Sequence, residues 1–440
     1  MKLKLSFPLL TLFLLIFSQP SIARTEPEVL ARKALSTDPA ESAPAIEELR
    51  SSGPAGLSIL FQVYDDEIKR EINNPPAANP DWSRLSKVLD RVSQQKDSYL
   101  SGLYWYTDFA KAQDAARATN KPILSLRLLG KLSEEFSCAN SRFFRTVLYS
   151  NQEVSKALRE RFVLHWESVR PAPRITIDFG DGRKLERTVT GNSIHYILDA
   201  EGRPIDALPG LYGPQAFLRS LMDIEAFYRE SAREDTNKLV VNLVAYHRNR
   251  LNAINLDWFS DTQRIGGKIP QGVTVRKVNG TPQALEIASL AVTKAITEAS
   301  ILRSMTAGSE ALGGVTDEAA WKKIANSHLA DAQLDARSIS LIKRQTQRVF
   351  EVDGSDLDSA KGFTKLVQAL QLNIALDTVR NEYLLHTKLH AWLALDKSHD
   401  LQKLNERVYA ELFLTPSSDP WLGLFSAETY TALENGGIVR

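Results

Sequence analysis

One thiol dominates the chemistry this chain can offer. Cys138 is the only cysteine in 440 residues, and it stands in Phe136-Ser137-Cys138-Ala139-Asn140-Ser141-Arg142-Phe143, after an apolar run and before a helical pattern. Two thiols spaced as CxxC open and close a disulfide within one molecule. A single thiol forms a mixed disulfide with another molecule, binds, or packs as a small hydrophobe. Arg142 and Arg145 follow within two helical turns and would place positive charge near a reactive sulfur. Ser141 is then either a hydrogen-bond donor to that sulfur or a plain first-turn residue.

Histidines offer a second chemistry. His165 and His195 lie in strand-like segments, and either would make a Cys-His nucleophile if it reached Cys138. A strand histidine beside Trp166 reads more simply as a satisfied core or surface residue. Glu382, His386 and His390 fall at i, i+4 and i+8 of one helical pattern and share a face. All three cannot ligate one ion, because eight residues of helix span about 12 Å. The segment lacks the glutamate that a zinc-protease helix places after its first histidine, and Leu372, Val379 and Tyr383 share the same side. A packed helix face is favoured, and no metal site or cofactor is expected. Asp178-Phe179-Gly180-Asp181-Gly182 lacks the ligand spacing of a calcium loop and reads as a turn.

The elements that would position these residues change character along the chain. Residues 25–70 carry short helical patterns, Pro27 to Leu35, Ala43 to Arg50 and Ala55 to Tyr64, broken by Gly53-Pro54. An Asn/Pro-rich link from Asn73 to Pro80 precedes a helix from Trp82 to about Gln95. From Leu103 to Arg229 helices and strands alternate. A helix from Asp108 to Thr119 precedes the strand Ile123 to Leu129. Helices from Ser141 to Tyr149 and Gln152 to Arg161 precede the strand Phe162 to Val169. Arg174 to Phe179 and Leu185 to Thr190 flank Gly180-Asp181-Gly182, a hairpin signal; a strand from Ser193 to Leu198 and a helix from Pro214 to Tyr228 complete the block. Beyond Asp235 the periodicity is helical, with a Gly-containing irregular stretch at Ile265 to Gly280.

Composition bounds location and partners. Met1 to Lys4 is basic, Leu5 to Phe17 is apolar but short, and Ser21-Ile22-Ala23 offers a cleavage site, the pattern of a signal peptide over residues 1–23. The chain is therefore expected to be exported, periplasmic or extracellular, with no integral membrane segment after cleavage. Lys plus Arg (54) nearly equals Asp plus Glu (53), so no global field points to nucleic acid. Asn279-Gly280-Thr281 is both a glycosylation sequon and a turn, and Trp421 to Phe425 is an apolar segment expected to dock on the helical part.

Between Ala110 and Gly202 the order of pieces resembles the thioredoxin superfamily, in its exported members. The matching residues are the helix ending in Lys121-Pro122, the strand Ile123 to Leu129, the tetrad Cys138 to Ser141, Asn151-Gln152-Glu153-Val154, the strand Phe162 to Val169, and Tyr196-Ile197-Leu198-Asp199 with Gly202. The resemblance implies a mixed central sheet flanked by helices over residues 98–230, with Ile123 to Leu129 and Phe162 to Val169 expected at its centre because both are mostly apolar runs. A helical N-terminal region (24–97) and a mainly α-helical C-terminal domain (231–440) would lie on either side. The first cysteine of the family's CxxC sits at a helix N-terminus, and Cys138 maps to it; Ser141 occupies the place of the second. Ser193 stands in the slot of the family's cis-proline, so Ser193 and Ile194 map to the substrate-binding loop. Two functions follow as expectations. One is monothiol exchange through Cys138 with a protein or small-thiol partner; the other is a catalytically inactive scaffold or protein-binding module.

Overall fold

The computed structural model describes residues 27–73, 79–188, 191–231, 236–267, 312–313, 316–353, 360–396 and 399–420. The expected leader, residues 74–78 of the link, the sequon at 279–281, all of the 265–280 stretch beyond Gly267 and the 421–425 segment lie outside them.

Five helices open the fold: α1 (Pro27–Ala34), α2 (Pro39–Ser51), α3 (Pro54–Val63), α4 (Asp65–Asn73) and α5 (Pro80–Ser93). Proline stands in the first turn of α2, α3 and α5, where its missing N–H removes no helical bond. Asp38 and Asn79 cap α2 and α5 by accepting backbone N–H bonds. The helices close their own core around Leu49, Leu60, Leu89 and Val92. A Cβ on Gly56 would lie 1.9 Å from the Leu49 carbonyl oxygen, so α2 and α3 meet backbone to backbone.

The α/β part begins with α6 (Phe109–Thr119), capped by Asp108 and ended by Asn120 in the left-handed region. Then come β1 (Ile123–Leu129), α7 (Ala139–Phe143), a π-helical turn at Phe144–Leu148, α8 (Gln152–Arg161) and β2 (Val163–Arg170). After the hairpin β3 (Arg174–Asp178) and β4 (Lys184–Thr188) follow β5 (Ile194–Leu198), β6 (Pro204–Pro209) and α9 (Pro214–Ser231). The sheet order is β2-β1-β5-β6; β2 runs parallel to β1, β5 antiparallel to β1, and β6 antiparallel to β5. The class is mixed α/β, mostly helical, with a small four-stranded sheet flanked by helices.

Two expectations about the sheet need correction. The central strands are β1 and β5, and the apolar run at 163–170 is an edge strand, buried only in its first half. Its outer side is partly covered by Tyr106, which donates its N–H to the Leu164 carbonyl at 2.8 Å and accepts from Trp166 N–H at 3.1 Å. Strand β6 has no counterpart in the sequence reading. Pro204 and Pro209 bracket it and break the strand signal, yet proline is compatible with the free side of an edge strand.

Long helices complete the chain: α10 (Thr236–Arg264), α11 (Glu318–Ser327), α12 (Ala336–Asp353) and α13 (Ala360–Arg380). A π-helical turn at Asn381–His386 then leads to α14 (Thr387–Leu395) and α15 (Leu401–Arg407). Helix α14 packs along α10, and the π-helical turn lies against β6. One hydrophobic core runs without a break from the sheet into these helices, joining Leu126, Ile197 and Leu208 to Trp258, Ile374 and Leu389. Among the described residues no helix is long and apolar enough to cross a membrane.

Candidate functional site

Cys138 is held at the junction the sequence points to. Gly130 ends β1 with φ +77°, the chain loops back, and the Cys138 N–H donates to the Leu129 carbonyl at 3.0 Å. Cys138 is then the N-cap residue of α7. Its sulfur lies 2.9 Å from Ser193 Oγ, 3.4 Å from Ser141 Oγ and 3.9 Å from the Asn192 carbonyl oxygen. Ser141 Oγ itself donates to the Cys138 carbonyl at 2.9 Å. The arrangement thus brings Cys138, Ser141 and Ser193 together.

The same arrangement seals the sulfur. Cys138, Ser141, Ser193 and Ile194 are each 0 % exposed, so none presents a surface to a docked peptide. Arg145 does not assist the thiol, since its guanidinium donates to the carbonyls of Leu132, Glu134 and Glu135 in the loop before it. A C-terminal segment closes the outside. Tyr409 Oη donates to the Asn192 carbonyl at 3.2 Å, and Asn192 Nδ2 donates to Thr415 Oγ1 at 2.9 Å. Arg170 adds bonds to the carbonyls of Thr415 and Pro416.

Neither strand histidine is hydrogen-bonded to the thiol. His165 Nδ1 shares a 2.9 Å bond with Ser125 Oγ, and His195 Nε2 one of 2.7 Å with Tyr149 Oη. Burial pushes both down to about 3, so both are neutral at ordinary pH and too weakly basic to activate a sulfur. The Asp178–Gly182 segment is the turn of an exposed hairpin. Gly180 and Gly182 have φ of +76° and +93°, and Asp178 accepts the Gly180 N–H.

Open concave surface lies elsewhere. A groove of about 660 Å³ separates the N-terminal helices from the α/β part, lined by Leu57, Phe61, Ile68, Ile72, Tyr104 and Phe162, with Lys121, Arg159 and Arg337 among its polar lining. A second cleft, of about 450 Å³, mixes apolar lining with charged groups, among them Arg219, Arg250, His328, Asp331 and Glu382. His328 bridges two carboxylates there, with Nε2 2.6 Å from Asp261 and Nδ1 3.3 Å from Asp331. Those bonds, Asp261 first, raise it to about 9.

Beneath this cleft the helix face containing Glu382, His386 and His390 meets two residues that sequence reasoning missed. Asp206 comes from β6 and His247 from α10. His386 Nδ1 lies 2.9 Å from Glu382, and its Nε2 lies 3.3 Å from Asp206 Oδ1. Asp206 Oδ2 accepts from Tyr246 Oη at 2.6 Å, and Oδ1 accepts the Ala207 N–H at 2.8 Å. Burial alone would lower His386, but Glu382 and Asp206 outweigh it and raise it to about 9. Burial would likewise raise Asp206, and the surrounding histidines hold it below the usual carboxylate range instead. Burial pushes His247 and His390 down, so the charge resides on His386. The Nδ1 atoms of His247 and His390 stand 3.0 Å apart, and both Nε2 atoms are buried without a hydrogen-bond partner among the described residues. Asp206 was hidden because its strand was hidden. His247 sits in a 29-residue helix whose sequence marks no partner for it.

No protein-family model, no curated protein and no solved structure matches this chain.

Proposed function

We propose that this chain is an exported, non-catalytic binding protein built on a thioredoxin-like scaffold, with Cys138 a structural residue. The complete burial of Cys138 carries the reading: a thiol packed in the core, whose hydrogen-bonding contacts among the described residues are Ser193, Ser141 and a carbonyl that Tyr409 also holds, has no path to a disulfide partner. The scaffold reading is supported by the strand order β2-β1-β5-β6, with a helical crossover between two parallel strands and a helix after an antiparallel pair. Export is supported by the basic start and the apolar run at Leu5 to Phe17. The groove beside Phe61 supports binding, being concave and mostly apolar with a few cationic groups. It suits the apolar part of a ligand or partner chain.

The monothiol alternative keeps one specific observation in its favour, the position of Cys138 as a helix N-cap residue with Ser141 one turn on. Thiol labelling separates the two. In the folded protein an aromatic disulfide reagent should leave Cys138 unmodified, with full labelling only in guanidinium. Folded-state labelling at the rate of a free cysteine would overturn the structural role. Partners retained on immobilised protein should survive Cys138→Ser and be lost on Phe61→Glu; the reverse pattern favours exchange chemistry.

A further inference from the structure

We propose that Asp206, His247 and His390 form a binding site for one divalent transition-metal ion of the zinc type, set where edge strand β6 meets helices α10 and α14. One carboxylate and two imidazoles are a donor set that zinc takes readily. They are not neighbours on one helix. Three elements far apart in sequence bring them together, and their donor atoms all lie within 4.8 Å of one another.

The spacing fits an ion. His247 Nδ1 and His390 Nδ1 are 3.0 Å apart, and His390 Nδ1 is 3.8 Å from Asp206 Oδ1. Tetrahedral zinc at about 2.0–2.2 Å from nitrogen and oxygen donors needs them roughly 3.3–3.6 Å apart. The two observed separations bracket that range; His247 stands farther from Asp206, though within 4.8 Å, so the site closes when the His247 ring moves toward the carboxylate by on the order of 1 Å.

Around Asp206 an outer shell is already in place. Asp206 is oriented by Tyr246 Oη and the Ala207 N–H. His386 stacks on His390 at 4.1 Å between ring centres, reaches Asp206 with Nε2, and is tied back to Glu382 through Nδ1. Hydrogen-bonded carboxylates of this kind fix and tune metal ligands. The two proposed imidazole ligands have no other evident task. Both are at most 1 % exposed and neither lines the second cleft; among the described residues they hydrogen-bond to each other, and His390 also lies 3.8 Å from Asp206 and against the His386 ring. A hydrogen-bonded pair of neutral imidazoles uses one nitrogen lone pair between the two Nδ1 atoms; an ion uses both. The ion would pin the C-terminal helices to the sheet edge in a chain whose single cysteine excludes an internal disulfide.

The test uses the full chain, stripped with a chelator and then given Co²⁺ or Zn²⁺. One equivalent should bind. Cobalt should show the visible absorption of a four-coordinate nitrogen/oxygen site, zinc should displace it, and zinc should raise the melting temperature. His247→Asn and His390→Asn should lose the cobalt spectrum and the zinc-dependent melting shift. His386→Asn should keep the stoichiometry with affinity lowered on the order of 10–100-fold. If the ligand variants do not fold, X-ray absorption of the zinc-loaded parent decides, with two imidazoles among light donors expected. Any of three results overturns the proposal: no uptake by the stripped parent in millimolar metal, unchanged uptake in folded His247→Asn and His390→Asn, or a sulfur-containing shell.

Discussion

His328 should titrate far above an ordinary histidine and stabilise the fold only while protonated. It links three elements: Asp261 belongs to α10, Asp331 follows α11, and Asp331 in turn receives Arg219 of α9 at 2.7 Å. The rise from 6.5 to about 9 corresponds to ~3 kcal/mol at about 1.4 kcal/mol per pKa unit. The side chain is 28 % exposed, so solvent screening brings the expectation to about 2 kcal/mol. Because the folded-state value lies above the unfolded one, this stabilisation is complete below about pH 6.5 and disappears as pH rises through about 9. The decisive assay is NMR of the imidazole carbons across that range. Seven histidines contribute, and the His328 resonance is the one lost in His328→Gln. It should titrate near 9, and parent and variant should differ in stability by about 2 kcal/mol at pH 6 and by little above pH 10. A His328 resonance that titrates at or below 6.5, or a stability difference unchanged between pH 6 and 10, would refute the reasoning.

Two further substitutions test the packing. Ser141→Cys places a second sulfur where Ser141 Oγ now lies 3.4 Å from Cys138 Sγ, close enough for small side-chain rotations to reach the ~2.05 Å of a disulfide; refolding in air should remove two hydrogens from the intact mass and abolish free-thiol titre, and two persistent thiols would mean that the tetrad's backbone is not as described. Gly56→Ala drives a methyl into the Leu49 carbonyl and should cost about 1–3 kcal/mol in denaturant unfolding of the N-terminal helices, with no loss if α2 and α3 can separate freely.

What the sequence made legible was local and periodic. The strand at 123–129, the helix at 152–161 and the turn at 180–182 announced themselves through apolar runs, Asn/Asp caps and glycine. The placing of Ser193 opposite Cys138 came from counting along a resemblance, and the two side chains do meet. What stayed hidden depends on tertiary partners. Exposure of the thiol could not be read, because the residues that cover it, Tyr409 and Thr415, lie near the far end of the chain. The centre of the sheet was misplaced, because an apolar half-strand covered by Tyr106 looks like a central one. Helix α4 was missed in a segment whose charges, Asp65-Asp66-Glu67 and then Lys69-Arg70, suit a helix but leave little apolar pattern.

The cover over Cys138 also sets an order of events during synthesis. The loop that meets the sulfur, Asn192-Ser193, is made early, but its lock, Tyr409, lies 217 residues beyond Asn192. Closing so long a loop is entropically costly and has to wait for the helices between, so the contact forms late. Until then the sulfur stands beneath an unfinished roof, open to any oxidant or thiol that the growing chain meets. Its reactivity therefore falls as the protein matures, and the labelled fraction of Cys138 in a pulse experiment would act as a clock for the arrival of the C-terminus.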